Sequence, residues 1–124
     1  MVNQIINGIP FRLKEFADLS FLSRWGEVFC AFDATGSGCI CFGLYDGKNK
    51  YFVKVAGAKT INSYIKVPDA VISLKHAVML YEKLSHPRLT KLLEYCQVGD
   101  FFTAVFEWRD GESLFDYWNF EHYK

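Results

Sequence analysis

The chain has 124 residues, and its 14 lysines and arginines balance its 14 aspartates and glutamates, so the formal net charge at neutral pH is zero. That length fits one domain, and a hydrophobic content of 51% excludes a disordered chain. Zero net charge supplies neither the basic footprint of a nucleic-acid binder nor a polybasic stretch for an anionic membrane, so no nucleic-acid and no membrane partner is expected.

Residues Met1 to Glu15 place Asn3, Gln4, Arg12 and Lys14 among their apolar residues and contain no run of signal-peptide length. No stretch approaches the ~20 apolar residues that span a bilayer, and a cytoplasmic chain is expected. Pro10 opens a segment, Phe11 to Trp25, whose apolar positions recur at mixed three- and four-residue spacing. With Asp18 and Ser20 as caps, it predicts one or two short helices closed by Gly26. Glu27 to Phe32 has strand length and composition, Asp33 to Gly38 is turn chemistry, and Cys39 to Tyr45 predicts a second strand. Asp46-Gly47, followed by Lys48-Asn49, signals a hairpin into a third strand over Lys50 to Val55. If Tyr45 faces Lys50 across that hairpin, Gly43 faces Phe52.

Gly57 to Val67 has no clear period, and Pro68-Asp69 marks a helix start. Ala70, Val71, Leu74, Ala77, Val78, Tyr81 and Leu84 then repeat at three and four, predicting a long helix that His86-Pro87 stops. Leu89 to Val98 and Phe101 to Trp108 predict two more strands about a Gly99-Asp100 turn. Asp110-Gly111 breaks the last strand, and Ser113 to Tyr117 can begin another helix. The order β-β-β-α-β-β predicts an α+β fold, a five-stranded antiparallel sheet with one long packed helix and a short N-terminal helical segment. Cysteines 30, 39, 41 and 96 form no C-x-x-C pair and no zinc-type spacing with the histidines, so reduced thiols and no metal site are expected. Pairing Asp33 with Gly38 puts Cys30 opposite Cys41, with Cys39 on the same face. Such a cluster reads as a packed sheet face, with a redox or metal role as the other reading.

Three strings in this order carry a family resemblance. Tyr51-Phe-Val-Lys54-Val resembles the third strand of the protein-kinase small lobe. Leu84-Ser-His-Pro87-Arg-Leu-Thr-Lys-Leu-Leu93 resembles the family's "L-x-H-P-n-I-v-k-L". Val105-Phe-Glu107-Trp-Arg-Asp-Gly111-Glu-Ser-Leu114-Phe-Asp-Tyr117 resembles its hinge. The chain thus resembles the small, N-terminal lobe of a bacterial eukaryotic-like serine/threonine protein kinase. The resemblance implies an N-terminal helical extension over residues 1–26, a kinase-like lobe over 27–117, and over 118–124 the start of a segment leading to an absent larger lobe.

What the resemblance implies about a site can be followed residue by residue. Gly36-Ser37-Gly38 supplies two glycines of a phosphate-covering turn, where backbone N–H groups approach oxygens closely. The family's third glycine falls on Cys41 and its following valine on Gly43. The two-glycine turn can equally be only a turn. Lys54 would neutralise nucleotide phosphates, and Phe52 stands where the family has a small residue over the adenine. The alternative is a solvated lysine beside a core phenylalanine. Phe106 would guard the back of the pocket or serve as strand core. Glu107 and Arg109 would offer backbone groups to adenine or stand as rim charges, and Ser113 would lie near the ribose. The family's helix glutamate, partner of the strand lysine, falls on Ala77, and neither Glu82 nor Asp69 replaces it without a register shift.

The family's H-R-D and D-F-G strings, which supply the base and a metal ligand, do not occur in the chain. No residue is therefore assigned a catalytic role. The chain is expected to bind ATP weakly or not at all on its own, with Mg²⁺ only alongside the missing lobe. Phe115, Tyr117, Trp118, Phe120 and Tyr123 crowd the C-terminus and point to an interface with the missing lobe or with a second copy of the chain. A protein substrate or regulator is a further expected partner. The expected function is the nucleotide-binding lobe of a kinase-like phosphotransferase, incompetent alone. The alternative is a stand-alone, pseudokinase-like module that binds a nucleotide or a protein.

Overall fold

A computed structural model describes residues 1–61, 64–83 and 91–108. The chain opens on a hairpin of β1 (Val2–Ile6) and β2 (Ile9–Leu13), followed by a 3-10 helix over Ser20–Trp25. Three strands come next, β3 (Glu27–Phe32), β4 (Cys39–Tyr45) and β5 (Lys50–Ala56). The main helix, α1 (Val67–Lys83), precedes β6 (Leu92–Val98) and β7 (Phe101–Glu107). Strands β3 to β7 form one antiparallel sheet in the order β3-β4-β5-β7-β6, so β5 lies at its centre. The expected α+β architecture, with five antiparallel strands and one main helix, is thus present.

The helix expected across Phe11 to Trp25 requires correction. Its first part is strand, and only Ser20–Trp25 is helical, as a 3-10 segment. The cause is the Asn7-Gly8 dipeptide, whose φ values of 52° and 82° are those of a two-residue primed turn, the connection that suits the strand twist. Period-two burial then sends Phe11 and Leu13 inward and leaves Arg12 outside. Pro10 is tolerated because each strand of a two-stranded ribbon has a free edge. Gln4 fixes the chain beyond the hairpin: its amide donates to the Ala17 carbonyl (2.8 Å) and accepts from the Ala17 N–H (3.0 Å). Of the expected caps, Asp18 accepts the Ser20 N–H in a turn just ahead of the helix, but the N-cap residue is Leu19, which makes no side-chain cap bond, and Ser20 is the first helical residue. Gly26 ends the segment because any Cβ there would lie 2.4 Å from the Tyr45 carbonyl oxygen.

The sheet is covered on both faces. On one, Phe11, Leu13, Ala17, Leu19, Leu22 and Trp25 pack against Val28, Ile40, Phe42, Leu44, Val53, Val55 and Val105. On the other, Leu74, Val78 and Tyr81 of α1 pack against Cys39, Cys41, Phe52, Ala56, Phe102, Ala104 and Phe106. This double cover explains why β4 is buried from Cys39 to Leu44 without alternation.

Cross-strand register agrees with one expectation and shifts another. Tyr45 does face Lys50, and Gly43 faces Phe52. Asp46 closes that turn by accepting the N–H groups of Lys48 and Asn49 and the Tyr51 hydroxyl, which hold its carboxyl below the usual range. Cys30, however, lies opposite Gly43, and Cys41 opposite Phe32. An irregularity between Val28 and Cys30 shifts the register. The Asp33 end of the turn is drawn aside, since its carboxylate accepts the Arg12 N–H and guanidinium.

Candidate functional site

Strand β5 carries the two central residues of the candidate site. Phe52 and Lys54 alternate with Val53, so both lie on the face beneath α1. Lys54 pairs in register with Cys41 on one side and Ala104 on the other, and only 3% of it is exposed. A solvated strand lysine is therefore excluded. Cys39 and Cys41 share this face, and burial pushes both thiols up, Cys41 to about 12, against the opposing pull of the Lys54 charge. Both remain protonated near neutral pH, so they pack as small apolar groups rather than act as nucleophiles.

No carboxylate is among the buried residues of the helix above Lys54. These are Ala70, Leu74, Val78 and Tyr81, while Ala77 is half-buried, and Asp69 and Glu82 are exposed. Glu82 instead accepts the Tyr95 hydroxyl and raises that phenol.

Phe52 stands in a row of cross-strand partners, Gly43 on one side and Phe106 on the other. The space that Gly43 leaves is filled from neighbouring strands. A Cβ there would meet Cys30 Sγ at 2.6 Å, Phe29 Cζ at 2.7 Å and Trp108 Cζ3 at 2.9 Å. Trp108 lies 5.0 Å from the Phe29 ring and 6.2 Å from the Phe52 ring, and Phe106 lies 5.2 Å edge-on to Tyr81. Phe52 and Phe106 are consequently fully buried, inside an aromatic cluster. Reading β5 alone foresees Phe52 opposite Gly43 but not Phe29 and Trp108. Phe29 reaches the site through the register irregularity, for which no local sequence signal exists.

The Gly36-Ser37-Gly38 turn leads into β4 beside Cys39 and lies against the start of α1. Gly36 and Gly38 have φ of 76° and 82°, and a Cβ on Gly38 would come within 2.8 Å of Ala70 Cβ. Thr35 organises the turn, donating to the Cys39 carbonyl (2.7 Å) and bonding the Ser37 hydroxyl (3.0 Å). At the far end of β7, the Glu107 N–H is already used, donating to the Lys91 carbonyl at 2.9 Å. The structure therefore brings together Phe52, Lys54 and Phe106, sets the glycine turn on the helix start, and leaves Glu107 at the sheet margin. Arg109, Ser113 and the five C-terminal aromatics lie outside the described residues. No helix among the described residues is long and apolar enough to cross a membrane. No protein-family model matches the chain, and no curated protein matches it significantly.

Proposed function

We propose that the chain is the nucleotide-binding small lobe of a serine/threonine-protein-kinase-like phosphotransferase, unable to transfer phosphate alone. The observation that supports this reading is the position of Lys54, a lysine held on the central strand beneath the one long helix. A buried lysine is costly to maintain, and such groups concentrate at functional sites. Phosphates of ATP would approach Lys54, the Gly36-Ser37-Gly38 turn would close over them, and Phe106, Glu107, Arg109 and Ser113 would line the nucleoside side. Mg²⁺ would enter only with ligands from a second lobe.

A specific observation favours the second reading, a pseudokinase-like module that binds a protein or a nucleotide without transfer. Trp108 packs against both Phe29 and Phe52 on the face where adenine would insert. Calorimetry with Mg-ATP separates the two. Saturable binding that Lys54→Met abolishes, with the variant's melting transition intact, supports the phosphotransferase lobe. A folded protein that takes up no nucleotide even at millimolar Mg-ATP removes the support that Lys54 gives to a nucleotide site in this chain and favours protein binding.

A further inference from the structure

A cavity of about 530 Å³ opens where the segment after β2, the loop after β5 and the entry to α1 meet. Lys14, Lys59, Lys66, Thr60 and Gly38 are among its lining, and Lys54 is not. The fold itself gathers the three lysines. The Lys14 N–H donates to the Lys59 carbonyl at 2.8 Å, and the Lys66 carbonyl accepts the Ala70 N–H in the first turn of α1. Their charges are only partly answered. Lys59 Nζ meets Glu15 Oε1 at 2.8 Å, while Lys14 and Lys66 form no ion pair among the described residues. Asp69, the acidic residue of the first helical turn, is exposed and is not part of the described lining.

One further feature suits the cavity to an anion. Thr60 is 6% exposed, and its hydroxyl forms no hydrogen bond with a described residue, so a ligand oxygen can occupy that capacity. Gly38 borders the same space, with its backbone packed closely on Ala70 and Ile65. Lysine ammoniums act as point charges that suit phosphate without demanding planar, bidentate geometry, and the volume is that of a small-molecule site.

We propose that this cavity binds a small phosphorylated molecule of about nucleoside-monophosphate size, with Lys14, Lys59 and Lys66 around the phosphate and Thr60 donating to it. The site does not include Lys54 and does not depend on the kinase-like reading, although it shares Gly38 with the turn assigned there to the nucleotide phosphates. The test is a titration of the isotopically labelled full chain with inorganic phosphate and with AMP at constant ionic strength, followed by amide NMR shifts. Saturable shifts at Thr60 and Lys66, which lie outside the Lys54 site, are expected. The double variant Lys14→Gln/Lys66→Gln should bind at least about tenfold more weakly, as loss of charge-assisted hydrogen bonds implies. The control Lys48→Gln/Lys91→Gln, which removes the same charge from exposed positions elsewhere, should bind as the parent does. The spectrum of each variant reports its own folding. Shifts that never saturate, or that weaken equally in both double variants, overturn the proposal.

Discussion

The two faces of the sheet are buried to similar depth by different chemistry. The face under the N-terminal hairpin and 3-10 helix is apolar almost throughout, with Phe42 edge-on to Phe11 at 5.2 Å and Leu13, Ile40 and Leu44 inaccessible. The face under α1 holds a lysine, two thiols and a cluster of aromatic rings around a glycine. Apolar packing alone accounts for the first. The second carries groups that lower-cost apolar residues could replace if stability were the only demand, which is why the functional proposal rests there.

Substitutions on the two faces can break or sharpen this contrast. The largest effect is expected from Phe42→Ala on the hairpin face, about 3–5 kcal/mol of lost stability because the sheet leaves little room to close over the cavity. Chemical denaturation measures it, and a loss below about 1 kcal/mol would mean that the hairpin is not a true cover. On the helix face, Gly43→Val should cost about 1–3 kcal/mol by overpacking, since Phe29, Cys30 and Trp108 already fill the space. A neutral outcome would show that the aromatic cluster yields readily enough to admit a ligand. The smallest effect has the opposite sign. Thr103 is inaccessible, stands opposite Val55 on the hairpin face, and its hydroxyl has no hydrogen-bond partner among the described residues. Thr103→Val should therefore stabilise the fold by about 1 kcal/mol, read as a raised melting temperature. A loss instead would place a hydrogen-bond partner at that hydroxyl.

Legibility in the sequence followed the range of the interactions. Strands β3, β4, β5 and β7 and helix α1 were readable because periodicity, turn dipeptides and a proline start are local signals. The β4–β5 register followed from the Asp46-Gly47 turn by counting. The first hairpin is equally legible in Asn7-Gly8, but the three- and four-residue spacing that continues to Trp25 masks the short alternation up to Leu13. The shift of Cys30 to Gly43 has no signal in the neighbouring residues, and where it begins the Val28 N–H donates to Asn7 Oδ1, a partner 21 residues away. The candidate site divides the same way. Lys54 and Phe52 were visible as strand positions, and Trp108 was visible as part of the last strand. That Trp108 and Phe29 converge on Gly43 depends on the tertiary arrangement. The lysines of the cavity were invisible as a group, since Lys14, Lys59 and Lys66 come from three separate segments.

The pairing of β5 with β7 also bears on how the chain acquires its shape. Each of the pairs β1–β2, β4–β5 and β6–β7 joins neighbours in sequence and can zip from a short turn. Val53 and Val105, by contrast, are register partners about 50 residues apart, so the centre of the sheet forms only when a long loop closes. Closure of that kind costs chain entropy before its contacts repay it, and folding rates fall accordingly. Helix α1 lies within the loop and packs on both strands that the closure joins. A helix already formed there shortens the span to be closed, which makes α1 the element whose early formation should set the folding speed.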